Sequence, residues 1–315
     1  MLSAVSNEFA IQCESLSKHY GDVRAVQNLI LKIPYGAVFG FLGRNGAGKT
    51  TTIRLLTGLA HPTSGKAWVA GMEVTRADST ARQLFGYLPQ APAFYPWMTP
   101  HEYLDYVGRI FGMSKEERQQ RTHEMLELVD LLPAEKRRIG GFSGGMIQRL
   151  GIAQALVHSP QVLFLDEPTS SLDPAGRYEV LELINRLHGQ VTIFLSSHIL
   201  GDVERVCDLL GIIRQGELLL VTGRDELLEQ YATNAIELEF DPSMGVLPEE
   251  LLNRLKEQPW VAGVQQNQHL LRITVTNTSQ AKQCVLGVIG GSVSGINRYE
   301  WVHPTLEEVF LKLSE

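Results

Sequence analysis

The chain has 315 residues, 44% of them hydrophobic and 20% charged, with a formal net charge of −7. That length accommodates a large α/β core with a smaller domain appended, and the composition excludes disordered and collagen-like chains. The acidic balance lacks the basic face of nucleic-acid binders, so no nucleic-acid partner is expected; Cys13, Cys207 and Cys284, odd in number and far apart, define neither a disulfide framework nor a zinc site.

In chain order, residues 1–9 show no basic region followed by an apolar core, so no signal peptide is read there. From residue 9 to about 222, short apolar runs alternate with amphipathic stretches, which predicts a mostly parallel sheet covered by helices. Val38-Phe39-Gly40-Phe41-Leu42, Val162-Leu163-Phe164-Leu165 and Val191-Thr192-Ile193-Phe194-Leu195 read as strands buried on both faces. Between residues 90 and 140 the strand signal stops. Leu104, Val107 and Ile110, then Met125, Leu128, Val129 and Leu132, recur at helical spacing and predict a helical insertion at about 91–160. Pro92, Pro96 and Pro100 precede it, with Phe94, Tyr95, Trp97 and Met98 set among them.

Beyond residue 230 the character changes. Ile236-Glu237-Leu238-Glu239-Phe240 alternates as a half-buried strand, and residues 270–275 suggest another; 251–255 and 282–289 look helical. Leu306, Val309, Phe310 and Leu313 stand at i, i+3, i+4 and i+7, an amphipathic helix. A small α+β domain is expected over 231–315, after a first domain over 1–230. No apolar run approaches the roughly 20 residues of a membrane-spanning helix, so the chain is expected to be soluble or peripheral.

The sharpest local signal is Gly43-Arg44-Asn45-Gly46-Ala47-Gly48-Lys49-Thr50, between a buried strand and the helical run 51–59. This is the phosphate-binding loop pattern in its required context. Glycines let the backbone curl so that its N–H groups face phosphate oxygens, and the helix start adds positive dipole. Lys49 would reach the β- and γ-phosphates and the Thr50 hydroxyl would hold Mg²⁺, with Thr51 following at the helix start. The motif implies nucleoside triphosphate binding and does not say what hydrolysis is used for.

Residues 162–165 run straight into Asp166-Glu167-Pro168. Ligands of open parallel sheets bind beyond the carboxyl ends of strands, where these two carboxylates emerge. Asp166 can hold Mg²⁺ beside the phosphates, and Glu167 can polarise an attacking water as general base. Gln90 follows the strand-like residues 85–88, and a neutral amide there can contact both Mg²⁺ and the water. His198 follows residues 193–197, again at a strand end, and can donate a hydrogen bond to a γ-phosphate.

Phe142-Ser143-Gly144-Gly145-Met146 opens the helical run 147–157 and resembles the Ser-Gly-Gly signature of the ATP-binding-cassette (ABC) ATPases. Around it, Tyr20, the phosphate loop, Gln90, Asp166-Glu167, Ser171-Leu172-Asp173 and His198 stand in the family's order, over roughly residues 9–230. The resemblance implies a P-loop ATPase core that takes ATP and Mg²⁺. Tyr20 is similar to the aromatic that stacks on adenine. Ser143, Gly144 and Gly145 are similar to the group that meets the γ-phosphate of ATP bound to a second cassette, and Asp173 to the carboxylate linking the two sites. One phosphate loop and one signature per chain imply a two-fold, head-to-tail ATP sandwich with itself or a related cassette. Phe142 and Met146 replace the leucine and glutamine more usual in the signature, and Ser171 a small apolar residue; the groups facing phosphate are kept, so hydrolysis is expected.

About a hundred residues, without coiled coil or zinc module, separate the phosphate loop from the signature, unlike the DNA-repair relatives. A single cassette is also unlike the translation-factor relatives. A transporter subunit is therefore expected, with a separate polytopic permease, on the cytoplasmic face of the cell membrane. The alternative is a soluble ABC ATPase of an assembly or regulatory complex. Thr305-Leu306-Glu307-Glu308-Val309-Phe310-Leu311 resembles the closing helix of exporter-type subunits, which implies export.

Overall fold

The structure is a computed structural model that describes residues 8–74, 79–230, 235–241, 249–290 and 295–302. The expected closing helix at 305–313 lies outside the described residues. Two compact units divide the chain, Met1–Arg224 and Asp225–Glu315, whereas the expected join lay at 230/231.

The first unit begins with two long strands, β1 (Phe9–Tyr20) and β2 (Val23–Pro34), followed by β3 (Val38–Leu42) and helix α1 (Lys49–Leu56). Strands β4 (Ser64–Val69), β5 (Met72–Glu73) and β6 (Phe85–Leu88) come next. Helices α2 (Pro100–Ile110), α3 (Lys115–Leu128) and α4 (Gly144–Leu156) then follow one another. The remainder alternates as β7 (Val162–Asp166), α5 (Pro174–Leu187), β8 (Thr192–Ser197), α6 (Leu200–Val206), β9 (Leu209–Arg214) and β10 (Glu217–Gly223).

A six-stranded sheet has the order β10-β9-β3-β8-β7-β6. Its strands are parallel except β10, which pairs antiparallel with β9. Every residue of β3, β7 and β8 is buried, as unbroken apolar runs demand when helices cover both faces. Phe39, Phe41, Phe164 and Phe194 meet at this centre, with Phe194 5.2 Å from both Phe39 and Phe41. Each fully buried ring contributes about 1.5–3 kcal/mol. A second sheet, β2-β1-β4-β5, is antiparallel and was not expected from the sequence. One hydrophobic cluster joins the two sheets and α1 through Leu16, Leu29, Ile33, Phe41, Ile53 and Phe164.

Local chemistry starts each helix of the insertion. Thr99 and Ser114 form capping boxes with Glu102 and Glu117, satisfying free N–H groups at the starts of α2 and α3. Leu104 and Val107 turn inward, but Ile110, at the end of α2, is 65% exposed. Helix α4 lies close against β6: a Cβ on Gly86 would sit 2.0 Å from the Ala155 carbonyl oxygen, so only glycine permits this approach.

In chain order, α7 (Arg224–Gln230) spans the division between the units, and β11 (Ala235–Phe240), α8 (Glu249–Lys256), β12 (Val261–Asn267), β13 (Leu270–Val275), α9 (Thr278–Ile289) and β14 (Ile296–Val302) follow. Their β-α-β-β-α-β order and the antiparallel sheet β12-β13-β11-β14 give a split βαβ arrangement. Ile236, Leu238 and Phe240 alternate onto the face covered by Leu251, Leu255, Val285 and Ile289, while Glu237 on the other face lies 3.8 Å from Arg272.

Candidate functional site

The loop between β3 and α1 is shaped by its glycines. Gly48 has φ 112°, a conformation that L side chains avoid, and a Cβ there would meet the Ala25 carbonyl oxygen at 2.3 Å. Helix α1 starts immediately after it with no side-chain cap, which leaves its first N–H groups directed into the loop. Lys49 is 5% exposed; its Nζ donates to the Gly43 carbonyl oxygen at 2.7 Å and lies 3.0 Å from Glu167 Oε1. Ala47 N–H donates to the Arg44 carbonyl oxygen at 3.0 Å and closes the turn of the loop.

Strand β7 delivers the carboxylates to the same place. Asp166 Oδ1 accepts from Thr50 Oγ1 at 3.2 Å and from Ser196 Oγ at 2.6 Å. Glu167 takes φ 50°, a left-handed backbone unusual for glutamate, and its N–H is held by the Ser196 carbonyl and hydroxyl oxygens at 3.1 Å each. The turn aims the side chain back at the loop, where Glu167 Oε2 meets His198 Nδ1 at 2.6 Å. Glu167 thus stands between the Lys49 ammonium and the His198 ring, 5% exposed. A carboxylate so held, at the rim of a phosphate-sized loop, can polarise a water.

A cavity of about 700 Å³ opens over the loop, lined by Tyr20, Asn45, Gly46, residues 48–51, Gln90 and Glu167 together with residues 23–25 and Gln215. Tyr20 is 48% exposed, with Lys18 Nζ 4.8 Å from its ring centre. Gln90 is exposed, and its carbonyl oxygen accepts from Gln148 Nε2 of α4 at 3.3 Å. Gly43, Arg44, Ala47 and Asp166 support the lining from behind, and His198 adjoins it through Glu167.

Ser143, Gly144, Gly145 and Asp173 do not line this cavity. Ser143 Oγ caps α4 by accepting from Met146 N–H at 3.3 Å, and Asp173 Oδ1 caps α5 by accepting from Gly176 N–H at 3.1 Å. The two helix starts touch, since Gly145 packs against the Cα of Gly176. The expected site residues therefore fall into two groups, one around the phosphate loop and one at the joined starts of α4 and α5.

The donor set around Thr50 suits a hard cation: one hydroxyl, one carboxylate and the Gln90 amide are oxygen donors. Among the described residues no group of three or more His, Cys, Asp and Glu side chains could hold a metal alone. That fits Mg²⁺, which keeps several waters and takes one or two carboxylates plus substrate phosphates. Sequence reasoning missed Ser196, which donates to the Asp166 carboxylate and holds the backbone N–H of Glu167, and Gln148, Thr169, Arg177 and Asp202. The Ser196-Ser197 pair ending an apolar run was a visible signal for the first; the others sit in ordinary helical or turn contexts.

A parallel sheet with a phosphate loop and a carboxylate pair at its strand ends defines a nucleotide-hydrolysing P-loop cassette. The family model for ABC transporters matches residues 26–170, and that of the ATP-binding protein DrrA1-3-like C-terminal domain matches residues 223–314. The uncharacterized ABC transporter ATP-binding protein YxlF of Bacillus subtilis (strain 168) is 40% identical over 303 residues, 96% of this chain and 99% of that protein. The linearmycin resistance ATP-binding protein LnrL of the same organism is 33% identical, covering 96% and 98%. A solved ATP-binding subunit of an ABC transporter superposes with a TM-score of 0.63 at 29% identity, over 70% of this chain and 93% of that one. The chain belongs to the ABC transporter ATP-binding proteins: it is an ATPase subunit whose hydrolysis powers transport.

Proposed function

We propose that the chain works as an ATP-sandwich pair that drives export through a separate membrane permease. The observation that carries this is the placement of Glu167, clamped between Lys49 and His198 at the edge of the phosphate-loop cavity. In this reading the N–H groups of residues 43–51 and Lys49 hold the triphosphate, and Tyr20 stacks on the adenine. Thr50, Gln90 and Asp166 would hold Mg²⁺, which when bound offsets phosphate charge. Glu167 takes the proton of the attacking water, and His198 donates to the γ-phosphate.

Ser143, Gly144 and Gly145, lying outside the cavity of their own chain, cap the γ-phosphate held by a second cassette, and Asp173 beside them links the two sites. That partner is a second copy or a related cassette in head-to-tail symmetry. Export is supported by the relative named for linearmycin resistance and by the DrrA1-3-like match of the second unit. No helix among the described residues is long and apolar enough to cross a membrane; in this reading the membrane path is supplied by the permease, with the chain docked on its cytoplasmic face.

For that docking we assign the aromatic surface after Gln90. Tyr95 and Trp97 are 44% and 64% exposed, their rings 5.1 Å apart, and Tyr106 of α2 continues the patch. Glu167→Gln keeps the size of the side chain but removes its charge and basicity. It is expected to bind ATP with wild-type affinity and to lose turnover by at least about a hundredfold. Unchanged turnover would remove the general base from Glu167.

A further inference from the structure

Asp202 is 1% exposed, as deeply buried as Asp166, yet it lies outside the nucleotide cavity. Buried carboxylates persist only when paired and hydrogen-bonded, and the two oxygens of Asp202 are taken by two different segments. Oδ2 accepts from Thr169 Oγ1 at 2.5 Å, and Oδ1 accepts from Arg177 Nε at 2.5 Å. Thr169 is itself buried, in the turn that leaves β7 just after Glu167. Arg177 lies one turn into α5, the helix that Asp173 caps; its N–H donates to the Asp173 carbonyl oxygen at 2.9 Å. Asp202 sits in the first turn of α6, one turn beyond His198.

We propose that Asp202 is a positioning residue that locks the segments carrying Glu167, Asp173 and His198 into one block. The inference rests on the roles assigned above to those three residues. Thr169 ties the β7 turn to α6, and Arg177 ties the start of α5 to the same carboxylate. A displacement at Asp173, where a second cassette engages, is then delivered to the Glu167–His198 pair rather than absorbed in the loops between. Ser196 fixes the backbone of Glu167 from the sheet side, and Asp202 fixes the opposite end of the same constellation. None of Thr169, Arg177 and Asp202 lines the cavity of its own chain. Loss of the lock therefore acts on turnover and spares nucleotide binding.

The test uses Thr169→Val, which keeps the buried shape and removes the hydroxyl, and Arg177→Gln, which removes the charge from a side chain 37% exposed and keeps an N–H donor; circular dichroism verifies that each variant is folded before assay. Full-length variants are assayed for steady-state ATP hydrolysis, with rates expressed per ATP-binding-competent molecule by titration with a fluorescent ATP analogue. The expected result is a kcat lowered about ten- to hundredfold with KM for ATP held within about twofold, the signature of misplaced catalytic groups. A wild-type kcat in either variant, or a raised KM with kcat unchanged, overturns the proposal. Glu167→Gln is assayed alongside. Wild-type turnover there defeats the roles assigned above, whereas its loss together with wild-type kcat in Arg177→Gln or Thr169→Val defeats the positioning role alone.

Discussion

Lys49, Glu167 and His198 form a chain of contacts in which the central carboxylate faces a cation on each side when His198 is protonated. The consequence for Lys49 concerns binding, because its ammonium also reaches the Gly43 carbonyl oxygen inside the loop. Lys49→Ala is expected to weaken ATP binding at least about tenfold, measured by equilibrium titration, as charge-assisted hydrogen bonds to phosphate are among the strong ones. Full ATP affinity in that variant would contradict its phosphate role. A different residue sets an acid limit on stability. His158 is stacked on Phe111 at 3.9 Å, and its Nε2 donates to the Phe85 carbonyl oxygen at 3.1 Å. Burial lowers its pKa below the ordinary histidine value, outweighing the upward pull of that hydrogen bond. The unfolded chain therefore takes up the proton at higher pH than the folded one. The neutral ring's contribution is complete above the unfolded value, about 6.5, and is lost as pH falls from there through the lower folded-state value. Thermal melts from about pH 7 to about pH 5 should show a smaller fall in Tm for His158→Gln than for the unmodified chain. Lys49, Glu167 and His198 were legible in the sequence because each follows a buried strand or sits in a glycine-rich loop. Asp202 was not, because its importance lies in which distant segments its oxygens reach.

At the scale of elements, close approach of backbones decides where substitutions are felt. Gly86→Ala drives a Cβ into the Ala155 carbonyl and must push α4 from β6. The expected cost is about 1–3 kcal/mol, read as a lower midpoint in chemical denaturation. Gly287, in α9, has nothing within 4 Å of an added Cβ. Gly287→Ala should stabilise by about 0.5–1 kcal/mol, because alanine loses less backbone freedom in a helix. Equal effects at the two sites would show that contact at Gly86 is not what matters. The buried strands β3, β7 and β8 were legible as continuous apolar runs, and β11 as strict alternation. The antiparallel sheet was hidden for a physical reason. The pairing of β1 with β2 shifts register between Cys13 and Leu16 and again beyond, and Ser15 and Asn28 take positive φ. Each bulge inverts the inward face, and in β2 the buried alternation of Leu29, Leu31 and Ile33 is masked in the sequence by the exposed Ile30. Ile110 misled in the opposite way: it keeps the helical period of α2 but lies at the end of that helix, where it is exposed.

The whole molecule combines a cassette whose cavity holds half of the expected nucleotide contacts with a second group of contacts at the starts of α4 and α5. In the proposed head-to-tail pair, each group of one chain would meet the complementary group of the other. The exposed Tyr95–Trp97 surface, proposed as the docking site for the permease, belongs to the same scale. Trp97→Ala is expected to reduce recovery of the permease when the tagged chain is purified from detergent-solubilised membranes, and undiminished recovery would move the docking surface elsewhere. The most direct test of the central claim is light scattering on full-length Glu167→Gln with ATP and Mg²⁺. The account predicts that the mass doubles on adding ATP and returns when the nucleotide is removed. A species that binds ATP with full affinity and keeps its unliganded mass would contradict the ATP-sandwich pair.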